Sequence, residues 1–228
     1  MDTIIHGDCR TELPKIPTGS IDLICTDPPY VVGTVGKGIA AKRQYLKDIH
    51  AKELDTGFDP ALLGEFLRVL KMPNLVLFCS RLQIRDYLNW ANERDLRWSL
   101  ICWHKTNPTP LTNNNYLPDT EYIFHFWQGR KLSGRYHTKR RFYVQRSERN
   151  DFGHPTVKPL NVVANLIENG SNKGDVVLDP FTGSGTTCVA AKSLGRRFIG
   201  IEREQDYVAL ARQRLRTEVP SLPLGEAA

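Results

Sequence analysis

The chain has 228 residues, of which 40% are hydrophobic and 25% charged, and its formal net charge at pH 7 is +6. This length is enough to bury a sizeable core, and we expect a single domain over residues 1–228. No apolar stretch reaches membrane-spanning length and the N-terminus lacks the features of a signal peptide, which argues against a membrane or secreted protein.

The cysteines also bear on where the protein works. There are five of them, an odd number, and they do not have the spacing of a metal site. This usage is typical of reduced thiols, so we expect a cytoplasmic protein without a bound metal. Packing is the default role for the four that lie in or beside apolar runs. The five are Cys9, Cys25, Cys79, Cys102 and Cys188.

The first informative strand prediction is the apolar run Ile21–Cys25, which has the length and branching of a buried strand. Thr26-Asp27-Pro28-Pro29-Tyr30 follows it directly. Two consecutive prolines restrict the backbone, so the Asp27 carboxylate, the Pro28 carbonyl and the Tyr30 ring are expected to stay together. Such a corner can hold a flat ring that bears an amine. The alternative is an ordinary proline turn.

The middle of the chain alternates predicted helices and strands. One helix is predicted to begin with Asp59 as N-cap and Pro60 at its first position, and Pro159 is predicted to open another. This alternation favours a mostly parallel sheet with helices on both faces. Residues 31–57, which carry five basic residues, fall outside the alternation and are predicted to form a mobile loop. Apolar runs predict strands at 76–79, 100–103 and 122–126.

The positive charge is concentrated in one stretch. Residues 129–149 carry eight Lys or Arg side chains against the single carboxylate of Glu148, and aromatic side chains are interleaved with them. A long polyanion would be drawn to such a surface, because phosphate contacts supply most non-specific affinity for nucleic acids. The alternative is a solvated loop without a ligand.

A second motif, Asp179-Pro180-Phe181-Thr182-Gly183-Ser184-Gly185-Thr186-Thr187, follows the apolar run Val176–Leu178 and precedes a predicted helix that Gly195 closes. Gly183 and Gly185 would let the backbone turn tightly and approach a ligand, and the helix offers free amide groups. The motif lacks the Gly-Lys-Ser/Thr of a phosphate loop and the third glycine of a dinucleotide fingerprint. A nucleoside ligand without a pyrophosphate therefore fits better.

Glu202 lies 23 positions after Asp179, at the end of the apolar run Phe198–Ile201. An acid at this point of such a unit commonly binds ribose hydroxyls. The alternative is an N-cap for the helix predicted from Gln205. The glycine-rich motif upstream favours the ribose role.

These motifs together resemble the amino-group DNA methyltransferases that use S-adenosylmethionine. Asp27-Pro28-Pro29-Tyr30 precedes Phe181-Thr182-Gly183-Ser184-Gly185, the permuted order of the beta class, and Gly7-Asp8-Cys9 and His154-Pro155-Thr156-Val157-Lys158-Pro159 also agree. The resemblance covers nearly all of residues 2–216. It implies a class I, Rossmann-like α/β fold with a mostly parallel seven-stranded sheet and a small target-recognition insertion, corresponding here to residues 128–152.

The resemblance also implies residue roles. Asp27, Pro28, Pro29 and Tyr30 would be catalytic, with Tyr30 stacked on a base extruded from double-stranded DNA. Residues similar to those that bind the cofactor are Asp8, Cys9, Asp27, Thr156, Lys158, Asp179, Phe181, Gly183, Ser184, Gly185, Thr186 and Glu202. Candidate DNA-binding residues are Lys37, Lys42, Arg43, Arg130, Lys131, Arg135, Lys139, Arg140 and Arg141.

The implied activity is methylation of adenine N6 in DNA by a bacterial or phage-encoded enzyme. Cytosine-N4 methylation ranks second, because such enzymes more often have serine at the position of Asp27. Methylation of RNA or of a protein amide ranks third, and a non-catalytic DNA-binding module ranks last. Relatives of the beta class often dimerise, so a homodimer is expected, and the sequence does not identify a restriction endonuclease partner.

Overall fold

The structure is a computed structural model that describes residues 2–31, 57–108, 116–147 and 157–218. One sheet of eight strands runs through these residues. The strands are β1 Thr3–His6, β2 Leu23–Thr26, β3 Asn74–Cys79, β4 Arg97–His104, β5 Thr120–Trp127, β6 Phe142–Val144, β7 Val176–Asp179 and β8 Arg197–Glu202.

The helices connect these strands and cover them. They are α1 Cys9–Glu12, α2 Leu62–Val69, α3 Ile84–Asn92, α4 Leu160–Gly170, α5 Thr186–Ser193 and α6 Gln205–Thr217, with 3-10 turns at Leu13–Lys15 and Tyr136–Thr138. The side chain of Asp59 accepts a hydrogen bond from the Ala61 amide, but the helix begins at Leu62, later than the sequence predicts. No helix in the described ranges is long and apolar enough to cross a membrane.

The strand order is β1-β8-β7-β2-β3-β5-β4-β6. All neighbouring pairs are parallel except the two that involve β5, which runs antiparallel to β3 and β4. The mostly parallel sheet predicted from the sequence is therefore confirmed. Since side chains alternate along a strand, Ile24 packs against one helical layer while Leu23 and Cys25 pack against the other. Burial on both faces explains why the central strands β2, β3 and β7 are almost continuous apolar runs.

The predicted number of seven strands is wrong, because the described residues contain eight. The additional edge strand β6 lies inside the basic stretch, where three residues between Arg141 and Gln145 are too few to show a strand pattern. Its position is fixed by pairing with β4, in which the Cys102 amide donates to the Arg141 carbonyl at 2.8 Å. The Trp103 indole also donates to the Gln145 carbonyl at 2.8 Å.

Helices cover both faces of the sheet, as predicted. On one face α4, α5 and α6 bury Val163, Ile167 and Val189 against it, and on the other face α2 and α3 bury Phe66 and Tyr87. The adjacent strands β8, β7 and β2 end at the same edge of the sheet because they are parallel. This carboxyl edge, where ligands bind in open α/β sheets, therefore carries both sequence motifs.

Candidate active site

The two motifs open into one cavity of about 590 Å³ at the carboxyl edge. Its size is in the range of pockets that hold a small organic ligand. Of the predicted catalytic and cofactor residues, only Thr156 lies outside the described residues, and all the others except Gly185 line this cavity. They are Asp8, Cys9, Asp27, Pro28, Pro29, Tyr30, Lys158, Asp179, Phe181, Gly183, Ser184, Thr186 and Glu202, while Gly185 lies beside it in the same loop.

A buried hydrogen bond joins the two motifs. The hydroxyl of Thr26, the last residue of β2, donates to Asp179 Oδ1 at 2.7 Å, and the Phe181 amide donates to the same oxygen at 3.1 Å. Burial raises the pKa of Asp179 to about 6, although these donors favour its charged form. Asp179 therefore fixes the two loops relative to each other in addition to lining the cavity.

The carboxylate of Asp27 is divided between two environments. Its Oδ2 atom is in contact with the Lys158 ammonium, whereas its Oδ1 atom is buried and has no hydrogen-bond partner in the described part of the chain. Burial raises the pKa of Asp27, and the charge of Lys158 opposes this. A buried acceptor without a donor is uncommon in folded proteins, so Asp27 is a candidate for binding a donor on a ligand.

Lys158 lies at the centre of the site and not at its margin. Its ammonium contacts Asp27, lies 3.5 Å from Glu121 Oε2, and stands 5.4 Å from the centre of the Tyr30 ring and 5.5 Å from that of Phe78. Burial by itself would lower the pKa of Lys158, but the two carboxylates outweigh it and raise the pKa. Lys158 is therefore charged and is held by the Asp27–Tyr30 corner itself.

Glu121 and Lys105 belong to the same site and were not predicted from the sequence. Glu121 Oε1 lies 2.6 Å from the Lys105 ammonium, and Glu121 Oε2 accepts a hydrogen bond from the Tyr30 hydroxyl at 3.3 Å. Burial would raise the pKa of Glu121, but Lys158 and Lys105 outweigh it and lower the pKa. In the sequence, Glu121 looks like a polar residue at the start of a strand, and no spacing links it to Asp27.

The glycine-rich loop is held from two sides. Gly183 donates its amide to Glu202 Oε2 at 2.7 Å, and the Glu204 amide donates to Glu202 Oε1 at 2.8 Å. Glu202 does not cap α6, whose N-cap residue is Glu204. On the other side, buried Arg214 donates to the Ser184 carbonyl at 2.9 Å. Burial raises the pKa of Glu202.

Other wall residues complete the cavity. Asp8 caps α1 by accepting the Arg10 amide at 2.8 Å, and its carboxylate also pairs with the Arg10 guanidinium at 2.6 Å. Burial raises the pKa of Cys9 to about 11, so its thiol is protonated at neutral pH. Phe58, which the sequence did not single out, packs against Phe181 with ring centres 5.6 Å apart.

The candidate DNA-binding residues that the structure describes differ in their positions relative to Asp27. Arg130 donates to the Asp22 carbonyl at 3.3 Å, and Arg135 lies 3.5 Å from Glu168 in the last turn of α4. Both positions are near the amino ends of β2 and β7, away from Asp27. Exposed Lys139, Arg140 and Arg141 lead into β6, and Lys131 is exposed near Arg130. Lys37, Lys42 and Arg43 lie outside the described residues, as does most of the predicted 31–57 loop.

Comparison with known proteins identifies the family. Residues 21–213 match the N6/N4 methyltransferase family, which is described as DNA methylase. The chain is 31% identical to the type II methyltransferase M.HinfI of Haemophilus influenzae over 97% of its own length and 70% of that protein. It is also 31% identical to the type II methyltransferase M2.DpnII of Streptococcus pneumoniae, over 94% of this chain and 90% of that one.

Solved structures agree with this match. The complex of M1.HpyAVI with S-adenosylmethionine aligns with a TM-score of 0.72 at 27% identity, covering 94% of this chain and 99% of that chain. The cytosine-N4-specific PvuII DNA methyltransferase has the same fold, with a TM-score of 0.71 at 17% identity. Fold, motif order and sequence similarity therefore agree, and the chain belongs to the N6/N4 DNA methylase family.

Proposed function

We propose that this DNA methyltransferase transfers the methyl group of S-adenosylmethionine to the exocyclic N6 amine of an adenine that is swung out of double-stranded DNA. One observation carries the proposal. The Asp27–Tyr30 corner and the Phe181–Gly185 loop line the same cavity, and the Thr26–Asp179 hydrogen bond holds them together. A site for an amine and a site for a nucleoside therefore meet at one point.

The residues of the glycine-rich side fit S-adenosylmethionine. Glu202 offers a carboxylate for ribose hydroxyls, and the rings of Phe58 and Phe181 offer an apolar wall for an adenine ring. The loop has neither the Gly-Lys-Ser/Thr of a phosphate loop nor the third glycine of a dinucleotide fingerprint, so a nucleoside without a pyrophosphate fits it better. S-adenosylmethionine supplies an electrophilic methyl group on a positively charged sulfur.

The opposite wall accounts for activation of the target amine. The lone pair of an exocyclic adenine amine is delocalised into the ring, which makes the amine a poor nucleophile. Asp27 and the Pro28 carbonyl would accept its two N–H groups and direct the lone pair at the methyl group. The nitrogen–methyl bond would form as the methyl–sulfur bond breaks, the sulfur would leave as a neutral thioether, and the methylated amine would lose a proton to solvent. The rate gain then comes from orientation and from polar groups that are already in place.

Extrusion of the base gives Tyr30 its role. Swinging a base out of the stack costs a few kcal/mol, and stacking on an aromatic ring contributes about 1–3 kcal/mol. Tyr30 therefore offsets much of this cost. The Tyr30 ring packs against the core and carries a fixed hydroxyl contact, so its orientation is set before the base arrives.

The choice of adenine over cytosine rests on Asp27. The fold does not discriminate, because the cytosine-N4-specific PvuII enzyme shares it. A carboxylate next to Lys158 is a stronger acceptor for an amine N–H than the serine hydroxyl typical of cytosine-N4 enzymes. Adenine N6 is therefore the proposed target, and cytosine N4 is the second candidate.

Product identification tests the proposal. The protein is incubated with methyl-labelled S-adenosylmethionine and, separately, with DNA, RNA and protein, and the labelled product is identified after digestion. We expect N6-methyladenine from DNA, and its loss in Asp27→Ala and in the nearly isosteric Asp27→Asn. Label in N4-methylcytosine would overturn the base assignment. No transfer to any substrate, with DNA and cofactor still bound, would favour a non-catalytic binding module.

The assembly is a separate proposal. We propose the homodimer that is common among beta-class relatives, because the basic stretch available for target recognition is short. Sedimentation velocity of the protein with and without DNA tests it, and a monomer under both conditions would contradict it. Methylation as the modification half of a restriction system agrees with the type II methyltransferases among the relatives.

A further inference from the structure

Glu121 contacts two groups of the Asp27–Tyr30 corner, the Tyr30 hydroxyl and the Lys158 ammonium. Its side chain is 15% exposed, and its Oε2 atom is 3.3 Å from the Tyr30 hydroxyl and 3.5 Å from the Lys158 ammonium. Its Oε1 atom is 2.6 Å from the Lys105 ammonium. Lys158 in turn contacts Asp27. Glu121 thus contacts Tyr30, the proposed stacking residue, directly. It is linked to Asp27, the carboxylate proposed to bind the amine, through Lys158.

We propose that Glu121 is a positioning residue for methyl transfer, which acts by holding Lys158 and Tyr30 while Lys105 holds Glu121. The inference rests on the proposed function of Asp27 and Tyr30. It adds that a second pair of charges, Glu121 and Lys105, sets the geometry of those two residues. Glu121 need not touch the target base, because its effect passes through Lys158 and Tyr30.

The charge balance of the cluster supports this role. Asp27, Lys158, Glu121 and Lys105 contribute two negative and two positive charges within a largely buried site. Lys158 is shared between two carboxylates, so only part of its attraction acts on Asp27. If Glu121 were neutral, the whole attraction of Lys158 would fall on Asp27, and Asp27 would become a weaker acceptor for the amine.

The hydroxyl contact supports the same role for Tyr30. Lys158 lies over the Tyr30 ring at 5.4 Å, and Glu121 holds the hydroxyl at the far end of that ring. One carboxylate oxygen therefore fixes the ring and the cation together. Loss of this oxygen would free the Tyr30 hydroxyl and leave Lys158 held by Asp27 alone, so the stacking wall and the acceptor would lose their alignment.

The charge also predicts a pH effect that a purely structural role would not give. Asp27 must be ionised to accept the amine, so activity falls as the pH drops through its pKa. The charge of Glu121 contributes to the raised pKa of Asp27, and neutralising Glu121 should lower that pKa. The titratable and charged groups facing Asp27 are Lys158, Glu121, Tyr30, Cys25, Cys79 and Asp179.

Three variants test the inference. Single-turnover methyl transfer to DNA is measured against pH at saturating cofactor for Glu121→Gln, Glu121→Asp and Lys105→Met. Glu121→Gln should slow transfer about tenfold, as expected for one lost orienting interaction, with cofactor Kd changed less than threefold. In its profile of rate against pH, the acid limb, where the rate falls as the pH drops, should move to lower pH by about one unit. Lys105→Met, which removes a positive charge, should move the limb to higher pH, and the charge-retaining Glu121→Asp should leave it in place.

The outcomes separate this inference from the proposed function. Failure of the unmodified protein to methylate DNA would refute the proposed function. An active unmodified protein with unchanged rate and pH limb in Glu121→Gln would refute the positioning role. Equal rate losses in Glu121→Gln and Glu121→Asp without any shift of the limb would also refute it. If Glu121→Gln does not fold, Lys105→Met decides, and an unshifted limb in that variant overturns the inference.

Discussion

Tyr30 combines two contacts that substitutions can separate. Its ring faces the cavity, whereas its hydroxyl binds Glu121 at 3.3 Å. Tyr30→Ala removes both, and the lost stacking of about 1–3 kcal/mol should lower kcat/KM for DNA roughly 5- to 150-fold. Tyr30→Phe keeps the stacking surface and should lose less. The measurement is the initial rate of labelled methyl transfer against DNA concentration, and equal losses in the two variants would assign the effect to the hydroxyl.

His125 is a buried base outside the Asp27–Tyr30 corner. Its Nε2 atom lies 3.0 Å from Asn74 Oδ1, and Asn74 uses its amide hydrogens on the Asp22 and Gly170 carbonyls. Burial lowers the pKa of His125 to about 4. The unfolded chain therefore takes up a proton near pH 6.5 before the folded protein does, and stability present above pH 6.5 is lost towards pH 4, by about 3 kcal/mol.

Urea unfolding between pH 7 and pH 4 checks this, with His125→Gln as the matched variant. Gln keeps a donor for Asn74 but does not titrate, so the stability difference between the two proteins should shrink as the pH falls. The difference is needed because Asp179, with its pKa raised to about 6, contributes in the opposite direction over an overlapping range. A difference that does not vary with pH would rule out the buried neutral histidine.

Among the elements, the glycine-rich loop depends on how closely α6 approaches it. Gly185 has φ +84°, and a Cβ atom there would lie 2.8 Å from Ala211 Cβ and 3.0 Å from Ala211 Cα. Gly185→Ala therefore adds an overpacked contact to backbone strain and should cost about 2–4 kcal/mol. Gly174 is the matched control because it has φ +85° with no atom within 4 Å, so Gly174→Ala should cost only about 1–2 kcal/mol.

Urea unfolding and calorimetric titration with S-adenosylmethionine measure both effects. Gly185→Ala should weaken cofactor binding as well as stability. The loop that it displaces contains Gly183 and Ser184, which form part of the cavity wall. Gly174→Ala should leave binding unchanged. Equal loss of stability with unchanged cofactor affinity in the two variants would contradict the close packing of the loop on α6.

The same elements indicate how much the sequence could predict. Buried strands such as β2 and β7 were predictable because their apolar runs end at turn-forming motifs, and parallel pairing then brings these motifs together. The direction of β5 was not predictable, since an apolar run does not indicate whether its strand lies parallel or antiparallel to its neighbours. Glu121 was missed for a related reason: it approaches Lys158 only because β5 is antiparallel and lies next to β3.

For the whole molecule, the placement of charge matters more than its amount. The sequence shows that the stretch around Arg130–Arg141 is basic, but it does not show which end of the sheet each residue occupies. From Leu160 near the carboxyl edge to Glu168, α4 rises roughly 12 Å, and this rise separates Arg135 from the Asp27–Tyr30 corner. Arg135 therefore lies towards the amino end of the sheet, whereas β6 continues the same basic run towards the carboxyl edge.

This division predicts unequal roles in DNA binding. A base that reaches Asp27 must enter over the carboxyl edge, and β6 leads towards that edge because Val144 pairs with His104 at the end of β4. The double substitution of Arg140 and Arg141 to Gln should therefore weaken DNA binding. It should also lower the salt slope, which is the steepness with which log K falls against the logarithm of the salt concentration, by about 2, the value for two lost phosphate contacts.

The matched double substitution of Lys131 and Arg135 to Gln removes the same charge from the far end of the sheet. It should leave the salt slope within about half a unit of the original value, because residues far from the duplex release no counterions. The measurement is Kd for a mixed-sequence duplex at several salt concentrations. Equal losses in the two variants would mean that DNA binds by net charge alone, and a larger loss in the second variant would place the DNA path along the amino end of the sheet.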